Sequence, residues 1–226
     1  MIPNLPLFIS ISFVLTTVYV IFLFIKSNTV RKSSLFIVLL WTVVLSILSY
    51  AGLYHYQEGD TYSRFVYILL PSIIFMVFLL RNKANYETRD FKWSTALHIV
   101  RLPIELLLFQ LAVRKWIPME MTYEGWNYDI IPGVTAVILV AWMNYRKIDY
   151  KLLLGWNIVS LCLVLFILSN GFLSQELLYI NFGYAVPNKA IAYFPMVLLA
   201  GVIVPIVVYT HISDIILLKK KISEGG

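Results

Sequence analysis

Apolar residues in this chain do not alternate with polar ones. They gather into seven long runs at about 6–26, 34–54, 62–81, 93–113, 129–146, 150–170 and 190–217, with short polar connections between them. A helix rises about 1.5 Å per residue, so about 20 residues cross the roughly 30 Å of a bilayer's hydrocarbon. Each run meets that length or nearly so, the third and fifth least well. The runs lack the ten-residue alternation of an outer-membrane barrel. The pattern predicts an all-α, polytopic membrane helical bundle of about seven transmembrane helices, organised as a single integral membrane domain over 1–226. The last run is overlong and holds Pro195 and Pro205, which predicts a tilt, a kink or an interfacial extension.

Orientation follows from the basic residues between runs. One set of connections, with the C-terminal tail, holds Lys26, Arg31, Lys32, Arg81, Lys83, Arg89, Lys92, Arg146, Lys147, Lys151, Lys219, Lys220 and Lys221. The alternate set holds only Arg64, Arg114, Lys115 and Lys189, and Arg101 falls inside a run. Lys and Arg collect on cytoplasmic loops, so the imbalance places the N-terminus outside and the C-terminus in the cytoplasm. The N-terminal stretch has no Lys or Arg ahead of its apolar run and no small-residue cleavage site. It reads as the first span and not as a removable signal.

Composition agrees with this reading. The 226 residues are 60% hydrophobic and 13% charged, with a mean hydropathy of +0.82. Soluble domains carry about 25% charged residues, so a cytosolic enzyme, a secreted disulfide scaffold and a nucleic-acid-binding domain are excluded together. The net charge of +6 is topological in this setting. The single Cys162 has no partner for an internal disulfide and reads as a small buried hydrophobe. Aromatic residues crowd the outer connections, among them Tyr54, Tyr56, Tyr62, Trp116, Tyr123, Trp126, Tyr179 and Tyr184. Such a belt fits the headgroup region. In the connection 171–189, Ser174 before Gln175-Glu176 predicts a short interfacial helix.

The chemistry is concentrated in the fourth run. At about 100° per residue, Ser94, His98, Arg101 and Glu105 fall within about 60° of one another on one helix face. Measured from Trp93, Arg101 lies about 12 Å and Glu105 about 18 Å along the axis, both near the bilayer middle. An ionisable side chain at that depth is a functional candidate by default, because it costs about 2.5–3.5 kcal/mol on insertion scales unless it is paired or hydrated. Glu105, one turn after Arg101, is expected to neutralise it, and His98, one turn before, to bond either neighbour. Pro103 lacks a backbone N–H and frees a carbonyl near Ile99. A closed Arg101–Glu105 pair that only fixes helix packing is the competing reading.

Asn157 and Ser160 on the sixth run enter at a similar depth, and Asn157 is placed to complete the same hydrogen bonding. Asp129 opens the fifth run, where it either caps the helix or faces inward. With Glu120, Glu124 and Asn127 it forms an acidic outer segment that reads mainly as a solvated loop. His211 and Asp214, one turn apart on the last run, read as solvated interfacial residues. Ser12, Thr16 and Tyr19 share one face, as do Thr42, Ser46 and Ser49, and both stripes indicate close helix packing. The candidate ligand-binding set is therefore His98, Arg101, Glu105, Asn157 and Asp129. No catalytic residue and no cofactor is assigned, and no cluster reads as a metal site.

Several seven-helix chemistries fail on the residues. No Lys lies inside the last run to carry retinal, and the three His residues are expected at different depths. Pro103-Ile104-Glu105 is similar to the start of the Pro-x-Glu-Glu/Asp motif of small membrane-bound carotenoid cyclases, with Leu106 in place of the second acid. Three residues assign no family. Expected partners are the bilayer and a small-molecule or lipid ligand, with a homo-oligomer or a larger membrane complex also compatible and nucleic acid excluded. The leading expectation is a transporter or binder of a small anionic, zwitterionic or amphipathic ligand. A membrane-embedded enzyme acting on a lipid or isoprenoid and a structural subunit are the alternatives.

Overall fold

A computed structural model describes residues 2–28, 32–81 and 87–224. Arg31 and Lys83, counted above in the basic connections, lie outside the described residues. Among the described residues the chain is helical without strands. Seven helices correspond to the seven apolar runs: α1 (Leu7–Ser27), α2 (Lys32–Tyr50), α3 (Val66–Arg81), α4 (Phe91–Val113), α5 (Ile130–Tyr145), α6 (Tyr150–Leu173) and α7 (Leu199–Ser223). Five of them are long and apolar enough to cross a membrane, and α3 and α5, at 16 residues each, are shorter. These are the two runs whose apolar pattern was weakest.

The bundle is layered around α4 and α7. The most apolar stretches of these two helices are 61% and 72% buried, against 22% for α2 and for α6 on the periphery. Helices α6 and α7 pack along one another, α1 lies against α4, and α5 crosses α4 at residues 98–100. The exterior is aliphatic and aromatic: Leu7, Leu15, Phe36, Ile47, Ile74, Ile138 and Val159 are all exposed. The interior holds His98, Arg101, Glu105, Asn157, His211 and Asp214, each at most 3% accessible. Exposed apolar surface this extensive is unusual in a soluble monomer and matches a lipid-facing wall.

Two prolines shape the central helices. Pro205 cannot donate to the carbonyl one turn back, which belongs to Gly201. The helix widens to a π-turn over Leu199–Ile203, and the freed Gly201 oxygen instead accepts from Trp41 Nε1 at 3.0 Å and Ser72 Oγ at 2.8 Å. The lost backbone bond thus becomes a three-helix junction of α2, α3 and α7. Pro103 likewise cannot donate to the carbonyl one turn back, and there α4 tightens instead, to a 3₁₀ turn over His98–Val100. The overlong seventh run resolves into two parts. Residues 190–198 form a 3₁₀ turn at Ala190–Ala192 and an irregular stretch with a cis Phe194–Pro195 bond, and the helix begins only at Leu199.

Two local expectations are corrected. No helix forms over 174–184, where the backbone makes successive turns. Ser174 Oγ points back to Gly171 O and the Met121 sulfur, so it is not available as a forward cap. Cys162 is exposed, because it lies on the outward face of the peripheral helix α6. The hydroxyl stripes do mark packing faces: Tyr19 Oη donates to Ala96 O of α4 at 2.8 Å, and Ser49 Oγ to Ala192 O at 2.8 Å.

Candidate functional site

Arg101 sits at the crossing of α4, α5, α6 and α7, where the 3₁₀ turn ends, and is 3% accessible. Its expected partner on its own helix does not take it. Arg101 Nη1 pairs instead with Asp129 Oδ1 at 2.9 Å, and both terminal nitrogens approach Ser160 O, at 3.4 and 3.5 Å. Nη2 bonds His211 Nε2 at 2.7 Å. The guanidinium is taken up by partners beside α5, on α6 and on α7, so the spacing of one turn does not become a contact. Asp129 precedes α5 without a side-chain cap bond, because its carboxylate turns inward to Arg101.

An arginine only donates, so His211 Nε2 must accept, and the ring proton resides on Nδ1. That proton is directed at Asn157 Oδ1, 2.8 Å away, while Asn157 Nδ2 donates to Leu153 O at 2.9 Å. One directional chain therefore runs Arg101, His211, Asn157, backbone. His98 takes no part in it. Its ring stacks on His211 at 3.8 Å between centroids and 12° between planes, and Trp156 packs edge-on at 5.4 Å. Both His98 nitrogens lack a hydrogen-bond partner among the described residues. His98 thus bonds neither Arg101 nor Glu105, and the α7 histidine takes the expected role.

Glu105 lies beyond this network on the same helix. Its Oε1 accepts from Asn127 Nδ2 at 2.6 Å, and Asn127 also donates to Met121 O at 3.1 Å. Asn127 Oδ1 in turn accepts from the Asp129 backbone N–H at 3.0 Å. The acidic outer segment is therefore divided: Glu124 is exposed, whereas Asn127 and Asp129 are buried. Glu105 Oε2 has no partner. It borders a cavity of about 670 Å³ of atom-free space, mouth included, whose remaining wall is mostly apolar and includes Phe13, Leu108, Leu111, Val164 and Met196. Asn127, Asp129 and Asn188 are the other polar residues of the lining; Arg101, His98 and His211 do not reach it.

A second buried ion pair lies at the other end of the bundle. Arg89 Nε meets Asp214 Oδ1 of α7 at 2.6 Å, and Arg89 Nη1 donates to Asn28 Oδ1 after α1. The Arg89 guanidinium also lies 5.7 Å from the Tyr209 ring centre. Asp214 and His211 are thus fully buried and not solvated at an interface. Their three-residue spacing puts both on one side of α7, a signal that reads equally as a surface stripe before the packing is known.

The structure therefore divides the five predicted ligand-binding residues. Arg101, Asp129 and Asn157 join one network through His211, in which both terminal nitrogens of Arg101 are engaged and Nε is not. Glu105 and Asp129 border the cavity. His98 stacks behind. Asn127 and Asn188 were missed as members of the cavity lining, and neither had a distinguishing sequence pattern, since each lies in a polar loop. In comparisons with known proteins, no family model, no curated protein and no solved structure matches the chain.

Proposed function

We propose that this chain is a multi-pass membrane protein whose helical bundle binds an amphipathic small molecule, with the apolar body in the cavity and the polar head at Glu105. One observation carries the reading: Glu105, with one carboxylate oxygen buried and without a partner, lines an otherwise largely apolar chamber. Binding sites commonly combine an apolar wall with a few convergent polar groups in this way. An anion held on Arg101 is disfavoured by the same geometry, because that guanidinium is already bonded to Asp129, Ser160 and His211 and is absent from the cavity wall.

In this reading all seven helices cross the bilayer, α3 and α5 as short spans of about 24 Å at a 1.5 Å rise. The excess of basic residues at the C-terminal end of α1, α3, α5 and α7 supports a cytoplasmic C-terminus. Glu105 and the cavity then lie in the outer half of the membrane. The Arg101 network beneath them acts as a rigid, closed floor.

The test is extraction of purified protein with organic solvent, followed by mass spectrometry of what is released. Wild type is expected to carry a stoichiometric small amphiphile, and Val164→Phe, which fills the cavity, to carry little of it at equal folded yield. Equal release from both proteins, or none from wild type, overturns the proposal.

A further inference from the structure

The cavity wall specifies the chemistry of what it binds. Among the described residues that line it, two buried side-chain atoms have no hydrogen-bond partner: Glu105 Oε2 and Asn188 Oδ1. Both are acceptors. Asn188 lines the cavity with Nδ2 donating to the Met121 sulfur, 3.5 Å away, which can only accept, and this leaves Oδ1 as the atom without a partner. Met121 links the two positions: its backbone oxygen takes Asn127, the partner of Glu105, and its sulfur takes Asn188. No buried side-chain donor in this lining lacks a partner. An occupant that satisfies this wall must bring donors.

Charge narrows the class further. Asp129 is matched by Arg101 at 2.9 Å, which leaves the Glu105 carboxylate as the unbalanced unit of the three. A buried carboxylate without a counter-charge is costly, and a ligand cation relieves that cost while donating N–H bonds. A carboxylate or phosphate head would meet two acceptors and a like charge.

Resting on the binding reading above, we propose that the head of the bound molecule is a primary ammonium on a long apolar tail, donating to Glu105 Oε2 and Asn188 Oδ1. An alcohol offers one donor and no charge, a fatty acid in its ionised form neither. The wall therefore ranks a long-chain amine first, an alcohol second and a carboxylate last.

The experiment measures binding of dodecylamine, dodecanol and dodecanoate to full-length protein in one detergent at pH 7, for wild type, Glu105→Gln, Asn188→Leu and Val164→Phe. Partition into micelles is common to all four proteins and cancels in the ratios. Wild type is expected to prefer dodecylamine over dodecanoate by tenfold or more, a difference of at least about 1.4 kcal/mol. In Glu105→Gln the amide oxygen keeps the Asn127 bond and an NH₂ replaces the unpartnered oxygen, so that preference should fall to about twofold or reverse, since the exposed atom changes from acceptor to donor. Asn188→Leu should weaken dodecylamine and leave dodecanoate unchanged. If wild type binds all three probes equally and Val164→Phe excludes them, the cavity reading stands and the ammonium assignment is wrong. If dodecanol matches dodecylamine, the charge argument is wrong and the ammonium assignment falls with it. If no probe binds wild type, both proposals fall.

Discussion

Asp129, and not Glu105, neutralises Arg101: Nη1 and Oδ1 lie 2.9 Å apart across the α4–α5 crossing, while Glu105 is engaged by Asn127. The two carboxylates are therefore not equivalent, although both lie within reach of the same cavity. One balances a buried charge and the other, on a residue that lines the cavity, has no counter-charge of its own.

This asymmetry predicts opposite outcomes for two isosteric substitutions. Asp129→Asn leaves a buried guanidinium without a counter-charge and should cost about 3–5 kcal/mol. Glu105→Gln keeps the acceptor for Asn127 and should change stability by less than about 1 kcal/mol. Unfolding of both variants in the same detergent, followed by denaturant titration, provides the comparison. Equal losses would mean that the Arg101–Asp129 pair is not the structural one.

The stacked histidines differ in the same manner. His211→Phe removes the acceptor for Arg101 Nη2 and the donor to Asn157 Oδ1, and should cost about 1–3 kcal/mol for each group left unsatisfied. His98→Phe keeps the stacking and removes two nitrogens that have no partner, so it should be neutral or stabilising. Melting temperatures of the two single variants test this ordering directly.

At the π-turn of α7, a Cβ on Gly201 would come within 2.2 Å of Leu45 Cδ2. Leu45 is fully buried and has little room to withdraw. Gly201→Ala should therefore destabilise the bundle by about 1–3 kcal/mol, and adding Leu45→Ala should cost less than the sum of the two single changes. A double-mutant cycle that proves additive would show that α2 and α7 are not in contact there.

Glu176, in the turns that follow α6, is half-buried, and desolvation raises its pKa above the ordinary glutamate value, with Lys189 offsetting this only in part. A carboxyl whose folded pKa is raised binds its proton more tightly folded than unfolded. Stability is then greatest below the unfolded value and falls as pH climbs from there through the folded one. Glu176→Gln should flatten that fall and raise the melting temperature at pH 7.5 more than at pH 4. A wild-type and variant difference that is constant across this range would count against it.

The helices themselves are legible in the chain's apolar pattern. Seven apolar runs predict seven helices because a 20-residue apolar segment has few other stable forms in lipid. The weakness of the third and fifth runs reappears as the shortness of α3 and α5. The polar stripe of α4 also follows from sequence, since the helical period alone puts Ser94, His98, Arg101 and Glu105 on one face. Pro103 and Pro205 mark where backbone carbonyls are freed.

Which side chain answers which is decided only by tertiary structure. Glu105 and His98 are Arg101's nearest polar neighbours along the helix, and both lose it to Asp129 and His211, 28 and 110 residues away. A guanidinium projects farther than one helical turn, so its partner depends on which helix crosses at that level, and crossing depends on packing that no local spacing records. For the same reason the stripe on α7 looked solvated and Asn127 and Asn188 looked like loop residues. The cavity that Glu105 borders exists only where α1, α4, α6 and α7 leave space between them.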